Sequence, residues 1–479
     1  MTDLENPDNY KWKALLVVAI GTIMVAIDFG IANISFPVLT KIFHTDLATV
    51  MWVTLSYTLI NVCLMLILGK ISDLIGRKKI YVRGLAVFTL GMLFCSLAQG
   101  IGQLILFRAI QAIGSAMIIT VGTAIIADAF PSKELGKGLG IIQASVSFGF
   151  IIGPVLGGLL LHWFDWRSIF YTRAPVCILV VFLAFFLLKK DTPATGKIQF
   201  DIKGTLASSS GLFFLIFGVS QISQVGLKSP LVIISVILGL MILGFFIFIE
   251  TRAKDPIVDL TLFNNRIFSY SSLSLFFTFM AIPAYMLLMP FYLMEGIRLT
   301  PSDAGLLMAV TAVISAVISP ITGTLSDRFG AVWFSILGAI FTLVAFILVC
   351  NFDLQTTAVF IIPVLVLLGI STGTFQTANN STIMGVVPKN RIGTAAAIIA
   401  TQRNVGMALG MAIAGTVYST RRIFHQAELI DQGADMAQAS SLSIALSFQN
   451  TILLSIGFLF LVILFSLFAG FSLRKKSKV

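Results

Sequence analysis

Long apolar stretches separated by short polar segments run along almost the whole chain. Because a helix needs about 20 mostly apolar residues to cross a bilayer, this pattern predicts fourteen membrane-spanning helices. The predicted spans lie near 12–34, 50–68, 79–98, 102–128, 136–161, 168–188, 203–221, 231–250, 267–293, 303–324, 332–350, 357–384, 392–417 and 448–472. An even number of spans places both termini on the same side of the membrane.

The composition agrees with this pattern. Of the 479 residues, 57% are hydrophobic and only 11% are charged, whereas a soluble domain has about 25% charged residues. Too few polar side chains remain to cover a water-facing surface. We therefore predict an all-α polytopic protein that crosses the cell membrane many times.

The net charge of +11 does not indicate a nucleic-acid partner. Of the 32 Lys and Arg residues, 23 fall in loops and tails on one side of the predicted spans and 6 on the other. This asymmetry follows the positive-inside rule, so we expect both termini to be cytoplasmic. The four cysteines lie in apolar segments without metal-ligand spacing, and we expect no metal site.

Two short patterns occur twice along the chain. The segment "GKISDLIG" begins at Gly69, and "GTLSDRFG" begins at Gly323, 254 positions later. A pair of glycines also repeats at a spacing of 257 positions, Gly149 and Gly153 first and then Gly406 and Gly410. Nearly equal offsets at equivalent places indicate an internal duplication.

We infer two parallel six-helix bundles, residues 1–190 and 266–479. A linker between them, 191–265, contains two inserted central helices. Parallel halves around a central site suit alternating-access transport, which a channel or a receptor does not need.

Four segments have the residue patterns of a known family. They are "DFGIANISFP" (28–37), "GKISDLIGRKK" (69–79), "FRAIQAIGSA" (107–116) and "GLGIIQASVSFGFIIGPVLGGLL" (138–160). Together they resemble the major facilitator superfamily, and within it the fourteen-helix drug:proton antiporters. The resemblance extends over the whole chain and implies the major facilitator fold.

The resemblance makes the segment that starts at Gly69 a cytoplasmic gate. It implies that Asp73 interacts with a helix N-terminus and Arg77 with an acid, for which Asp128 is the candidate. The remaining gate residues are Gly69, Gly76 and, in the second half, Asp327. The alternative is a basic cluster that only faces lipid headgroups. Leu74 departs from the family, which usually has Arg at that place.

Asp28 is the only acid placed deep in a predicted span. A carboxylate there is costly unless it is paired or protonated, and such residues are usually functional. We therefore predict that Asp28 carries the proton, with a structural ion pair as the alternative. The resemblance implicates Arg108 in coupling, and Arg108 stays charged, so it can only tune a neighbouring group. Gly30 and Ala112 replace a common Thr and Gly of the family.

The glycine-rich segment from Gly140 to Gly158 matches the family's antiporter motif. The residues that we assign to the motif are Gly149, Gly153, Pro154, Gly157 and Gly158. Small residues let helices approach closely, and neighbouring helices satisfy the carbonyl that a proline frees. The resemblance implies a pliable contact with a helix of the second half that controls sealing. Generic small-residue packing is the alternative.

A set of polar and adaptable side chains forms the predicted substrate cavity. It comprises Asn33, Tyr57, Asn61, Gln111, Arg173, Tyr285, Met289, Gln376, Asn379, Asn380 and Arg403. Each also fits ordinary packing. For Arg173 we weigh a place in the cavity equally against a side chain that extends to the outer surface.

No catalytic constellation, metal cluster or phosphate loop occurs in the chain, which argues against an enzyme and against ATP-driven transport. We predict a proton-coupled exporter of lipophilic or amphipathic small molecules, of the multidrug-efflux type. The proton gradient is its energy source, no cofactor is needed, and the partners are membrane lipids, substrate and protons. We expect a functional monomer.

Two alternatives are a lipid or metabolite transporter of the same fold, possibly an uncoupled facilitator, and a substrate-sensing receptor. No soluble segment is long enough for the signalling domain that a receptor needs. One acid against Arg108, Arg173 and Arg403 favours neutral, zwitterionic or anionic substrates over dications. The external loop 418–447 is expected to be partly helical and receives no role.

Overall fold

The computed structural model describes residues 7–131, 134–189, 202–252, 260–388 and 391–476. Within those ranges the regular structure is helical, with no strand. The helices up to position 250 are α1 (Pro7–Ile42), α2 (Leu47–Val50), α3 (Trp52–Ile75), α4 (Arg77–Ser96), α5 (Ile101–Ala129), α6 (Leu135–Trp163), α7 (Ser168–Tyr171), α8 (Ala174–Leu187), α9 (Ile202–Val225) and α10 (Pro230–Glu250).

The second half of the chain continues in the same way. After a 3-10 turn, Leu260–Asn264, it forms α11 (Arg266–Phe291), a π-helical turn (Tyr292–Gly296), α12 (Pro301–Phe329), α13 (Ala331–Val349), α14 (Ala358–Gly385), α15 (Ile392–Asp431) and α16 (Met436–Lys476). Each of the fourteen predicted spans falls on one or two of these helices.

The described helices include fewer candidate membrane spans than the fourteen that the sequence predicts. Among the described residues, twelve segments are long and apolar enough to cross a membrane. The helices outside this set are α9, whose apolar stretch Leu206–Ile222 is shorter, and α15, which has Gln402, Arg403 and Asn404 within its apolar part. The protein is a multi-pass membrane protein, and fourteen spans stays a prediction.

The chain divides into two compact units, Met1–Phe213 and Phe214–Val479. The boundary falls inside α9, within the segment 191–265 that was predicted as the linker. The predicted bundle limits at 190 and 266 are not tested by this division and stay a prediction.

The two units use the same packing scheme. In the first, α1 packs on α6, α4 on α5, and α3 on α5. In the second, the corresponding pairs are α11 with α15, α13 with α14, and α12 with α14. The helices α1, α3, α4, α5 and α6 therefore take partners equivalent to those of α11, α12, α13, α14 and α15, as a duplicated bundle requires.

The repeated motif has the same local structure in both places. The hydroxyl of Ser72 donates to the carbonyl of Gly69 at 2.7 Å, and that of Ser326 to Gly323 at 2.9 Å. The closing glycines, Gly76 and Gly330, have φ angles of 114° and 97°. Backbone in this left-handed region favours glycine, because a Cβ would be strained there.

The predicted external loop 418–447 is helical except around its turn. Helix α15 continues to Asp431 and α16 starts at Met436, so the two form a helical hairpin. Arg422 lies 3.6 Å from Glu295, which connects the hairpin to the π-helical turn after α11. The structure gives this hairpin no further role.

Candidate functional site

Asp28 lies in the middle of α1 and is 1% exposed. Two arginines from other helices bind its carboxylate. Arg108, in α5, places Nη1 2.5 Å from Asp28 Oδ2. Arg173, the residue before α8, places Nη2 2.7 Å from Asp28 Oδ1. We call Asp28, Arg108 and Arg173 the charge cluster.

The two arginines bind in the same way. Each donates Nε to a main-chain carbonyl: Arg108 to Val53 at 3.1 Å, and Arg173 to Ile169 at 2.9 Å. Each donates one terminal nitrogen to Asp28. In the described part of the chain the remaining terminal nitrogens, Arg108 Nη2 and Arg173 Nη1, have no hydrogen-bond partner.

Gln111 and Tyr57 hold the cluster from the α5 and α3 sides. Gln111 donates Nε2 to Asp28 Oδ1 at 3.1 Å and accepts from Arg108 Nη1 at 2.8 Å. The Arg108 guanidinium lies 4.4 Å from the centre of the Tyr57 ring, a cation–π contact. The Tyr57 hydroxyl donates to Ser115 at 2.6 Å. These contacts fix the orientation of Arg108.

The cluster contains one carboxylate and two guanidinium groups, so its net charge is positive while Asp28 is ionised. Removing one partner from a buried ion pair leaves an uncompensated charge and typically costs about 3–5 kcal/mol. A proton on Asp28 would have this effect on both pairs, because it cancels the negative charge between the two cations. The cluster is therefore an arrangement whose ion pairs depend on protonation.

The alternative of an Arg173 side chain that extends to the outer surface is wrong. Arg173 is 3% exposed and is directed to Asp28. The neighbouring Arg167 is the arginine that contacts Trp166, and its guanidinium carbon lies 4.6 Å from the centre of that ring.

The motif glycines line the contact between α6 and α1. A Cβ added to Gly153 would lie 2.9 Å from Gly30 Cα, and one added to Gly157 would lie 2.6 Å from Ile34 Cγ2. A Cβ on Gly149 would overlap with Ala26. Only glycine allows the two helix backbones to approach this closely. The predicted partner, a helix of the second half, is therefore wrong for these three positions.

The departure at Gly30 also has a physical reason. A Cβ at position 30 would lie 3.0 Å from Pro154 Cδ and 3.1 Å from Gly153 Cα. A threonine there would force α1 away from α6. Gly158, the last residue of the motif, is buried in the same helix.

The second unit has the same contact. Gly406 and Gly410 of α15 face α11, and a Cβ added to Gly406 would lie 2.9 Å from the carbonyl oxygen of Phe276. A Cβ on Gly410 would overlap with the backbone of Met280. The glycines that repeat in the sequence thus line equivalent helix crossings, each within its own unit.

The predicted gate residues are partly brought together. Arg77 forms an ion pair with Asp128 and donates to the carbonyl of Ala124 at 3.0 Å. Gly69 faces Thr120 of α5, with 3.4 Å from an added Cβ to Thr120 Cγ2. The side chains of Asp73 and Asp327 lie outside the described part of the chain.

The predicted cavity residues of the first unit have different surroundings. Asn33 is 1% exposed, and neither atom of its amide has a partner among the described residues. Asn61 donates to the carbonyl of Tyr57 at 3.0 Å. Gln111 and Tyr57, also predicted for the cavity, contact the charge cluster. Met289, of the second unit, is fully buried.

In the second unit the polar residues have separate environments. Asn379 donates to the carbonyl of Ser271 at 3.1 Å, so it joins α14 to α11. On the same helix Gln376 is half-buried and Asn380 is exposed. Tyr285 lies 3.3 Å from the hydroxyl of Thr311. Arg403 is half-buried in α15 and has no ion pair among the described residues.

Two features of the site were missed in the sequence. One is the pair Asp28–Arg173, because nothing in the sequence places the start of α8 beside the middle of α1. The other is the partner of the glycine motif. Gly30, only two positions from Asp28, was an available signal for it, since an unusual glycine indicates a close approach.

Comparison with known proteins identifies the family. The chain matches the model of the Major Facilitator Superfamily over residues 18–411, and a second match covers 271–478. It is 33% identical to the riboflavin transporter RibZ of Clostridioides difficile over 423 residues, 87% of this chain and 90% of that protein. It is 30% identical to the multidrug resistance protein Stp of Mycobacterium tuberculosis, over 84% of this chain and 75% of that protein.

A more distant relative is the lincomycin resistance protein LmrB of Listeria monocytogenes, which is 27% identical over 81% of this chain and 82% of that protein. The fold is similar to that of a bacterial homologue of the lysosomal transporter Spinster, with a TM-score of 0.71 at 15% identity. That alignment covers 97% of this chain and 98% of the other. The predicted major facilitator fold is confirmed, and the protein is a transporter and not an enzyme. The chain belongs to the major facilitator superfamily.

Proposed function

We propose that the protein is a proton-coupled antiporter that exports lipophilic or amphipathic small molecules by alternating access. The observation that supports this most is the double role of one short segment of α1. Asp28 binds Arg108 and Arg173, and Gly30, two positions later, meets Gly153 of the antiporter motif. A proton on Asp28 and a movement of α1 against α6 therefore act on the same stretch of helix.

Coupling follows from the difference between the two charge states of Asp28. When Asp28 is ionised, two ion pairs tie α1 to α5 and to the start of α8. When it is protonated, both pairs are lost and the two guanidinium groups repel each other. A proton thus shifts the balance between two arrangements of the N-terminal unit. The protein then exchanges substrate for protons if the substrate binds to the arrangement in which Asp28 is ionised.

The multidrug and lincomycin resistance proteins among the relatives support export. We place the protein in the plasma membrane with fourteen spans and both termini in the cytoplasm, as a functional monomer. Its partners are membrane lipids, substrate and protons, and the proton gradient replaces a cofactor. The gate around Arg77 and Asp128 would open and close with the two arrangements.

A second candidate is a metabolite carrier that transports riboflavin without coupling. It is favoured by the similarity to RibZ, which is 33% identical over 87% of this chain. In that case the charge cluster would be a structural tie between three helices. The two candidates differ in whether substrate movement is linked to proton movement.

Purified protein in liposomes with an imposed pH gradient separates the candidates. Riboflavin, lincomycin and ethidium are added in turn, while substrate flux and internal pH are followed together. Antiport predicts that at least one probe moves protons in the opposite direction with wild-type protein and not with Asp28→Asn. Asp165→Asn is the matched control, because Asp165 is an exposed acid in an ion pair outside the cluster.

Riboflavin flux without proton movement, equal in wild type and Asp28→Asn, would support the uncoupled carrier and contradict antiport. Proton-linked flux that persists in Asp28→Asn would leave antiport intact but remove Asp28 as the proton site.

A further inference from the structure

The charge cluster has two hydrogen-bond donors that nothing in the described chain uses. Arg108 Nη2 and Arg173 Nη1 lack a partner, although the side chains are 0% and 3% exposed. Buried polar groups nearly always have a partner, so an exception calls for a physical reason. Both unpartnered nitrogens belong to side chains that bind the same carboxylate.

The free groups are donors, and the charged acceptor beside them is already occupied. Asp28 Oδ2 binds Arg108, and Asp28 Oδ1 binds both Arg173 and Gln111. A substrate ammonium group would meet two guanidinium cations and no free carboxylate. A substrate oxygen that accepts hydrogen bonds would instead satisfy the free guanidinium N–H groups.

The charge of that oxygen is set by the exchange mechanism. Antiport requires the substrate to bind while Asp28 is ionised. A carboxylate would add a second negative charge next to Asp28 and would favour a proton on it, so acid and proton would travel together. An uncharged carbonyl oxygen binds the same donors without this effect.

We propose that the charge cluster is a substrate subsite for uncharged amphipathic molecules whose carbonyl oxygen, from an amide, imide or ketone, accepts hydrogen bonds from Arg108 Nη2 and Arg173 Nη1. Arg173 thereby determines specificity as well as holding Asp28. This inference rests on the proposed antiport for the choice of an uncharged acceptor. The recognition itself is measured by binding, without a pH gradient.

Three fluorescent probes that share one ring system test the proposal on the purified full-length protein in detergent: 2-naphthaleneacetamide, 2-(2-naphthyl)ethylammonium and 2-naphthaleneacetate. At neutral pH the amide should bind about tenfold more tightly than the ammonium probe, the effect expected of one hydrogen bond to a charged group. Equal binding of the two probes, or no binding of the amide, would overturn the proposal.

The variant Arg173→Lys removes the free nitrogen while a cation remains beside Asp28. Lysine keeps a positive charge for Asp28 but lacks the second arm of the guanidinium fork. We expect Arg173→Lys to lose about tenfold in amide affinity, since one charge-assisted hydrogen bond to the probe is removed, and to lose some thermal stability because the bond from Nε to the carbonyl of Ile169 is also missing. Arg167→Lys is the matched control, because Arg167 is outside the cluster and half-exposed.

The remaining outcomes also discriminate. If Arg173→Lys binds the amide as wild type does, the free nitrogen is not used and the proposal is wrong. If the acetate binds most tightly and takes up a proton from solution, the substrate is an acid and the choice of a carbonyl is wrong. If the amide preference depends on Arg173 but no probe moves protons in liposomes, the subsite stands and the proposed antiport fails.

Discussion

Asp28 and Arg173 are 145 positions apart in the sequence, and their side chains bind at 2.7 Å inside the N-terminal unit. Neither side chain is more than 4% exposed. With Arg108 on the other carboxylate oxygen, the buried carboxylate of Asp28 lies between two cations. Asp28 is therefore the centre of a junction between α1, α5 and the start of α8, and it is not an isolated carboxylate.

The first prediction concerns the stability of this junction. Asp28→Ala leaves two buried guanidinium groups without their shared partner, and we expect the free energy of unfolding to fall by about 3–5 kcal/mol. Combining it with Arg173→Leu removes one of these unpaired charges, so the double variant should be more stable than the sum of the single effects. Thermal unfolding in one detergent measures all four proteins. Additive effects would show that the ion pair contributes nothing to stability.

The second prediction concerns the crossing of α1 and α6. In Gly153→Ala the new methyl group lies 2.9 Å from Gly30 Cα and 3.0 Å from the carbonyl oxygen of Ile27. Overpacking of this kind costs about 1–3 kcal/mol, and α1 must shift to relieve it. We expect lower stability and slower proton-linked transport in liposomes.

The control for this change is Gly140→Ala in the same helix. A Cβ at Gly140 meets nothing within 4 Å, so alanine should be neutral or stabilise the helix by up to about 1 kcal/mol. If both variants lose transport equally, the effect comes from helix flexibility and not from the contact with α1.

Much of the fold was predictable, because membrane helices leave a direct trace in the sequence. The apolar segments located every long helix, and the repeated "GKISDLIG" and "GTLSDRFG" segments indicated the duplicated bundle. The ion pair between Arg77 and Asp128 was also anticipated, since the resemblance suggested it. These features depend on composition and local sequence pattern.

The tertiary partners could not be predicted in the same way. A row of glycines shows that a helix approaches another closely, but not which helix, so Gly153 was assigned the wrong partner. The sequence around Arg173 does not identify its partner, because the burial of this side chain depends on where α1 passes the start of α8. The sequence left a surface position and a buried position equally open for Arg173, and the buried carboxylate of Asp28 decides between them.

The third prediction tests the gate. Arg77 and Asp128 form an ion pair with side chains that are 30% and 65% exposed. An exposed pair contributes only about 0–1 kcal/mol, so Arg77→Gln and Asp128→Asn should hardly change stability. We expect both to slow proton-linked flux in liposomes if the pair holds one transport state. The exchanged variant Arg77→Asp with Asp128→Arg should recover part of the flux. A gate role is excluded if all three variants transport like wild type.

The fourth prediction asks whether the second unit moves in the same way as the first. Gly410 of α15 faces the backbone of α11 as Gly153 of α6 faces that of α1, and a Cβ at Gly410 would overlap with Met280. We expect Gly410→Ala to slow transport and to destabilise the protein by about 1–3 kcal/mol, as overpacking does elsewhere.

Gly457→Ala is the control, since Gly457 lies on the exposed side of α16 with nothing within 4 Å of an added Cβ. Equal slowing by Gly153→Ala and Gly410→Ala would mean that both crossings move during transport. If Gly410→Ala lowers stability but leaves flux unchanged, the crossing in the second unit is static, and the movement that accompanies protonation of Asp28 is confined to the first.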